Sequence, residues 1–310
     1  MIDQTTHLAF HTLDVFTDRT FGGNPLGVFP DATHLSSELM QRIAREMNLS
    51  ETVFLGPPET PGSTARVRIF TPGVEVPFAG HPTVGSAIFL ASRDARAPAE
   101  GDMTLVLEEN VGPVSVRVRF NDGEPVFAQF TTALLPEHRP SPYSAAELAT
   151  MVGIDEADVC SEELTPEMVS CGLPYFIIPV RTIDAVKRSV LDMSLWKNMV
   201  AGGWAHHVYL LCMDGEGKGV DVRVRMYAPG SGVPEDPATG SAAAALGGYL
   251  SNANGCDEGS LSWTVEQGLE MGRPSLLYVE ADRTGGATSA VRVGGSAVTV
   301  SEGTMRLPAE

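Results

Sequence analysis

The chain has 310 residues, enough for two domains of about 150 residues each. Its formal net charge is −18, with 21 Lys and Arg against 39 Asp and Glu, which argues against nucleic acid and anionic membranes as partners, because both require a basic face. Hydrophobic residues make up 43%, no apolar run approaches the roughly 20 residues of a membrane span, and no basic segment with an apolar core opens the chain, so a cytoplasmic globular protein is expected.

Leu8 to Phe16 reads as a first strand. The turn-rich stretch Phe21-Gly22-Gly23-Asn24-Pro25 follows and runs into a second strand. Its backbone and Asn24 are candidates to line a pocket; a plain tight turn is the alternative. Ser36 or Ser37 caps a helix to about Asn48, with Leu39, Met40, Ile43 and Met47 on one face. A β-prone run, Leu49 to Leu55, then holds a single carboxylate, Glu51. In a semi-apolar pocket its proton affinity would rise, suiting it to general acid/base work; otherwise it is a solvent-facing residue at a strand start.

Arg66 to Phe70 is a strand, and Thr83 to Ala91 is a helix of small residues. Met103 to Glu108, Val114 to Phe120 and Val126 to Thr131 are short strands, the last two joined by the hairpin turn Asn121-Asp122-Gly123. Pro136 to Pro142 reads as a linker. Ala145 to Val152 is a helix, Pro174 to Val180 and Val208 to Cys212 are strands, and Val220 to Tyr227 alternates as a strand does. Asp236-Pro237 reads as a helix start, an N-cap acceptor followed by a proline at the first helical position, leading into the small apolar run Ala243 to Leu250. Beyond it, Leu261 to Val265, Ser275 to Glu280, Ala290 to Val293, Ala297 to Val300 and Thr304 to Leu307 are short strands between glycine-rich turns. There is no G-x-G-x-x-G after a first strand and no G-x-x-x-x-G-K, so no dinucleotide or nucleoside triphosphate cofactor is expected.

An internal repeat decides the architecture. Pro82-Thr83-Val84-Gly85-Ser86-Ala87 recurs as Pro237-Ala238-Thr239-Gly240-Ser241-Ala242, 155 positions on and half the chain length away. Upstream, Arg68-Ile69-Phe70-Thr71-Pro72 recurs as Arg225-Met226-Tyr227-Ala228-Pro229. The repeat implies two similar halves, each with a strand, a glycine-rich loop and a buried helix. It makes His81 and Asp236 counterparts, each directly before its proline. Helix N-termini with small residues suit an anion. The expectation is that the two halves face each other across a pseudo-twofold. A bound carboxylate would then sit near Gly80, Gly240 and Ser241, while Glu51, His81 and Asp236 move protons at an adjacent carbon. That is isomerisation or epimerisation without a cofactor. Asp236 could equally be a plain N-cap, and His81 a structural residue before a proline.

Other chemistries find less support. The seven histidines show no metal-ligand spacing, and His206 and His207, adjacent on a strand, would point to opposite faces, so no metal is expected. Gly230-Ser231-Gly232 lacks the spacing of a nucleophile elbow. The four cysteines, at 160, 171, 212 and 256, show no C-x-x-C pairing and read as reduced thiols.

Five blocks resemble the PhzF family of phenazine biosynthesis-like proteins. They are Asp14-Val15-Phe16-Thr17 with Phe21-Gly22-Gly23-Asn24-Pro25; Asn48-Leu49-Ser50-Glu51-Thr52; Phe78-Ala79-Gly80-His81-Pro82-Thr83-Val84-Gly85; Glu235-Asp236-Pro237-Ala238-Thr239-Gly240-Ser241-Ala242; and Glu266-Gln267-Gly268 with Met271-Gly272-Arg273-Pro274-Ser275. The resemblance implies an α+β, diaminopimelate-epimerase-like fold: two pseudo-symmetric domains, each a mixed, mostly antiparallel sheet wrapped around a central helix. The halves would be residues 1–135 with 296–310, and 136–295, the last strand returning to the first domain. It also implies a cofactor-independent isomerase of the trans-2,3-dihydro-3-hydroxyanthranilate type, acting on a small carboxylate, with a homodimer expected from the family. Carried over, Glu51 moves the proton, His81 and Asp236 assist, and Gly80, Gly240 and Ser241 hold the substrate. Epimerases of this fold use two cysteines beside the helix starts, and here those loops contain none. An amino-acid racemase or epimerase without the two-cysteine mechanism, and a non-catalytic binding protein that retains the cleft, stay as alternatives.

Overall fold

The computed structural model describes residues 7–159 and 164–307. In chain order the first elements are β1 (His7–Val15), β2 (Asn24–Phe29), α1 (Ser37–Met47), β3 (Glu51–Gly56), β4 (Ala65–Phe70), β5 (Glu75–Val76), α2 (Gly80–Ala91), β6 (Gly101–Glu109), β7 (Gly112–Asn121) and β8 (Glu124–Thr131). Then come β9 (Glu137–Pro140), α3 (Ala145–Val152), β10 (Glu167–Ser170), β11 (Pro174–Pro179), α4 (Ile183–Arg188), α5 (Met193–Met199), β12 (His207–Cys212) and β13 (Val222–Ala228). The chain closes with β14 (Val233–Asp236), α6 (Gly240–Asn254), β15 (Gly259–Gln267), β16 (Ser275–Thr284), β17 (Ala287–Gly295) and β18 (Ala297–Arg306). Residues up to Phe130, with those from Gly295 onward, form one unit, and Thr131–Gly294 forms the other.

In the first unit the strands pair in the order β18-β1-β2-β3-β4-β6-β7-β8, with β5 on β4. The β2–β3 and β4–β6 pairs are parallel and the rest antiparallel. In the second unit the order is β9-β10-β11-β12-β13-β15-β16-β17, with β14 on β13. Here β11–β12 and β13–β15 are the parallel pairs. The two pairing sequences are the same strand for strand, so the repeat seen in a few letters extends through both sheets. Parallel neighbours need a crossover, and helices supply each one. α1 bridges β2 to β3, α4 and α5 bridge β11 to β12, and α2 and α6 bridge the remaining two pairs.

α2 packs against β1, β2, β3, β6, β7 and β18, and α6 against β10, β11, β15 and β16. Both helices are buried on nearly every face. A helix enclosed by a curled sheet has no polar side to show, which is why both are built from Gly, Ala, Ser and Thr with a few large apolar residues. The outer helices are amphipathic instead. α1 starts at Ser36, whose side chain accepts from the Leu39 N–H, and buries Met40, Ile43 and Ala44 against Phe29, Phe54 and Phe70. α3 carries a capping box between Ser144 and Glu147 and buries Leu148, Met151 and Val152 beside Phe176, Val186 and Val208.

Four local expectations are corrected. The stretch read as a linker, Pro136 to Pro142, contains β9, because its backbone pairs with β10 from Glu137 to Pro140. The two short strands expected at 297–300 and 304–307 are one strand, since Ser301, Glu302 and Gly303 continue the ladder opposite Thr12, His11 and Phe10. Asp236 is not a helix N-cap. It ends β14 opposite Met226, and α6 begins only at Gly240, with Thr239 in the cap position. His206 and His207 do not point apart, because His207 opens β12 while His206 precedes it, and their rings lie 4.3 Å apart. Cys160 falls outside the described residues.

Candidate active site

In the first unit the parallel register sets Leu26 of β2 opposite Glu51, the first residue of β3. The start of α2 brings His81 against the same edge. A ring N–H of His81 donates to the carbonyl of Pro25, the neighbour of Leu26. The other ring nitrogen, Nε2, makes no hydrogen bond, so the donor is Nδ1. Nε2 lies 3.5 Å from Glu51 Oε2. The His81 side chain is 4% exposed and that of Glu51 is 19%, so the carboxyl can be reached from solvent while the imidazole behind it cannot. Asn24 opens β2 fully buried, opposite Val15 of β1. The loop before it is fixed by Asp14, whose carboxylate accepts from the Phe21 N–H at 2.6 Å. Gly23 has φ +60°, and a Cβ there would lie 2.3 Å from the Val15 carbonyl oxygen, so only glycine fits.

Burial pushes the His81 imidazole down to about 3, with its bond to the Pro25 carbonyl opposing the shift. A neutral imidazole that donates through Nδ1 presents an Nε2 lone pair to Glu51, so a proton on the carboxyl has an acceptor within reach. The folded pKa lies below the unfolded value of 6.5. The stability this group contributes is therefore complete above pH 6.5 and is lost as pH falls toward 3. One proton corresponds to about 1.4 kcal/mol per pH unit. His81→Asn is expected to remove a slope of up to that size between about pH 6 and pH 4, read by denaturant unfolding of both proteins at stepped pH.

In the second unit Asp236 is 6% exposed and sits before α6. Its Oδ2 accepts from Thr239 Oγ1 at 2.5 Å, and its carbonyl accepts from Gln267 Nε2 at 2.7 Å. Gln267 Nε2 also reaches Thr239 Oγ1 at 3.0 Å, while its Oε1 accepts from the Thr239 N–H at 3.3 Å. Ser241, in the first turn of α6, shares a 2.6 Å hydrogen bond with the hydroxyl of Tyr175 on β11. Neither α2 nor α6 has a side-chain cap. Their first N–H groups, which have no intrahelical acceptor, include those of Gly80 and His81 in one unit and of Gly240 and Ser241 in the other.

The structure thus brings Glu51, His81 and Gly80 together in the first unit, and Asp236, Gly240 and Ser241 together in the second. Gln267, Thr239 and Tyr175 were not anticipated from the residues. Gln267 belongs to a block that carried the resemblance, but its role follows from strand register, which letters alone do not give. Among the described residues no group of three or more His, Cys, Asp or Glu side chains could hold a metal ion. Cys171 lies against α6 and donates weakly to the Ala244 carbonyl, and burial pushes its thiol up to about 12, so it offers no thiolate near neutral pH.

The family model described as phenazine biosynthesis-like protein, PhzC-PhzF, matches residues 13–303. A protein named uncharacterized isomerase mll1393 from Mesorhizobium japonicum is 42% identical over 293 residues, covering 94% of this chain and 96% of that one. The trans-2,3-dihydro-3-hydroxyanthranilate isomerase of Pseudomonas aeruginosa is 36% identical over 296 residues, covering 94% of this chain and 96% of that one. Among solved structures, a phenazine biosynthesis protein of the PhzF family from Bacillus anthracis superposes with a TM-score of 0.86 at 25% identity, covering 97% of this chain and 99% of that one.

Proposed function

Because the chain belongs to the phenazine biosynthesis-like PhzC-PhzF family, we propose that it is a cofactor-independent isomerase that moves a proton between carbons of a small carboxylate. The observation that carries this reading is the Glu51 carboxyl, partly open to solvent and 3.5 Å from a buried imidazole. Glu51 takes the proton from one carbon and returns it to another, so atoms balance with no oxidant, reductant or co-substrate. His81 stays neutral, holds the carboxyl in place and accepts a hydrogen bond from its protonated form. In the first unit the backbone N–H of Gly80 binds the substrate's carboxylate, and Asn24 lines its pocket. Gly240, Ser241 and Asp236 are the corresponding binding and proton-transfer candidates of the second unit. Positioned acid/base groups of this kind contribute about 10²- to 10⁴-fold. The substrate class is a small cyclic or unsaturated acid of the dihydro-hydroxyanthranilate type, the type that the Pseudomonas aeruginosa relative is named for.

The test is incubation with trans-2,3-dihydro-3-hydroxyanthranilate in heavy water, followed by proton NMR and mass spectrometry. The expected product has the substrate's elemental composition, a shifted double bond and up to one deuterium at the newly protonated carbon. A folded protein that leaves this compound unchanged, and exchanges no carbon-bound hydrogen in a panel of small carboxylates, would overturn the reading. α-Deuteration of an amino acid with loss of stereochemistry would replace it with racemisation.

A further inference from the structure

Glu109, the last residue of β6, is a carboxyl buried to 3% exposure in the first unit, and the proton transfer above does not use it. Its Oε1 lies 2.7 Å from Thr83 Oγ1, and its Oε2 has no hydrogen-bond partner. Thr83 Oγ1 also lies 2.8 Å from the Ala79 carbonyl. The carbonyl can only accept, and the hydroxyl has a single proton to give. If that proton goes to Ala79, the Thr83–Glu109 contact is a hydrogen bond only when Glu109 itself carries the donating proton.

The repeat supplies an independent argument. β6 lies parallel to β4 with Glu108 opposite Arg66, and β15 lies parallel to β13 with Glu266 opposite Arg223. In this register Glu109 and Gln267 occupy the same place, each ending the strand that follows its unit's central helix. Gln267 is a donor there: its amide gives a hydrogen bond to Thr239 Oγ1, which passes one on to Asp236. The first unit has an acid in place of the amide and a hydroxyl one position away, since Thr83 matches Ala238 in the repeat and Thr239 matches Val84. Glu109 contacts Thr83, whose hydroxyl also reaches the carbonyl of Ala79, beside Gly80 and His81.

We propose that Glu109 is a positioning residue present as a neutral carboxylic acid, holding the turn that carries Gly80 and His81 as Gln267 holds the turn that carries Asp236. The geometry accounts for the electrostatics. Burial raises the Glu109 carboxyl to about 8, and the positive Arg66 on β4 opposes the rise. A Thr83 hydroxyl donating to the carboxylate opposes it too, whereas one turned to the Ala79 carbonyl leaves the acid as the donor. Arg66 is drawn away to the Glu108 carbonyl and Asn110, so it does not pair with this carboxyl.

Only the link from this turn to catalysis rests on the isomerase reading; the protonation and the relay do not. The test therefore needs no substrate. Glu109→Gln keeps a donor in place and removes the titration. Above pH 4.5 the unfolded chain loses this proton while the folded chain keeps it up to about pH 8. The folding equilibrium constant of Glu109→Gln, relative to wild type, is thus expected to rise by up to tenfold per pH unit between about pH 5 and pH 8 and then level off. A ratio independent of pH would overturn the neutral acid. Glu109→Leu removes the donor, and faster amide exchange at His81 and Thr83 with shifted His81 ring resonances is expected. If those signals match wild type, the positioning role is overturned. Should Glu109→Leu fail to fold, the same signals in Glu109→Gln decide it: retained resonances support the relay and displaced ones overturn it. An absence of isomerase activity would leave every one of these readouts unchanged.

Discussion

Glu51→Gln is expected to lower turnover by about 10²- to 10⁴-fold, equivalent to about 3–5.5 kcal/mol of transition-state stabilisation, with KM changed little. The substitution keeps the size and planarity of the side chain, and an amide can still donate toward His81 Nε2 at the 3.5 Å position. What it cannot do is take a proton from carbon and give it back. Loss in kcat alone marks an interaction made only in the transition state. Steady-state kinetics on the substrate of the heavy-water experiment check this, with deuterium incorporation lost in parallel. Retention of turnover within a few-fold of wild type would remove Glu51 from the chemistry.

Gly268→Ala is expected to cost about 3 kcal/mol or more of stability. Gly268 has φ +78°, and an added Cβ would lie 2.5 Å from the carbonyl oxygens of both Pro237 and Arg273 and 3.0 Å from Pro237 Cα. All three are backbone atoms, so no rotamer change relieves the clash. The segment that must give way includes Pro237, next to Asp236, so the second unit's candidate residues move as well. Gly62→Ala is the control. Its φ is +91°, but nothing lies within 4 Å of the added Cβ, so it bears backbone strain of only about 1–2 kcal/mol. Denaturant midpoints of the two variants separate strain from collision, and equal losses would show that the Pro237 contact yields easily.

Several elements could be read directly because their causes are local. The cap at Ser36 and the hairpin at Asp122-Gly123, where both residues have positive φ, depend on residues within a few positions of each other. Other readings failed where distant strands competed with a local signal. Asp236-Pro237 has the letters of a helix start, yet its backbone is held in a ladder with Met226, and the helix waits until Gly240. Pro136 to Pro142 has the letters of a linker, yet Glu137 to Pro140 are paired by β10. Glu51 stood out as a lone carboxylate in an apolar run, but its distance from His81 follows from the β2–β3 register and the start of α2. The relay through Gln267 and its acidic counterpart at Glu109 left no short-range signature.

The sequence alone determined the class of fold, the duplication and the identity of the residues around which a site could form. The repeated blocks carry the duplication, the resemblance to the family implies the class of fold, and hydrophobic pattern and turn chemistry, which act over a few residues, set the local elements. The tertiary structure decided which strand ends meet which helix starts, which carboxyl faces an imidazole and which is buried beside a hydroxyl. Those outcomes depend on strand register between segments dozens of residues apart, and on the desolvation that register imposes on each titratable group.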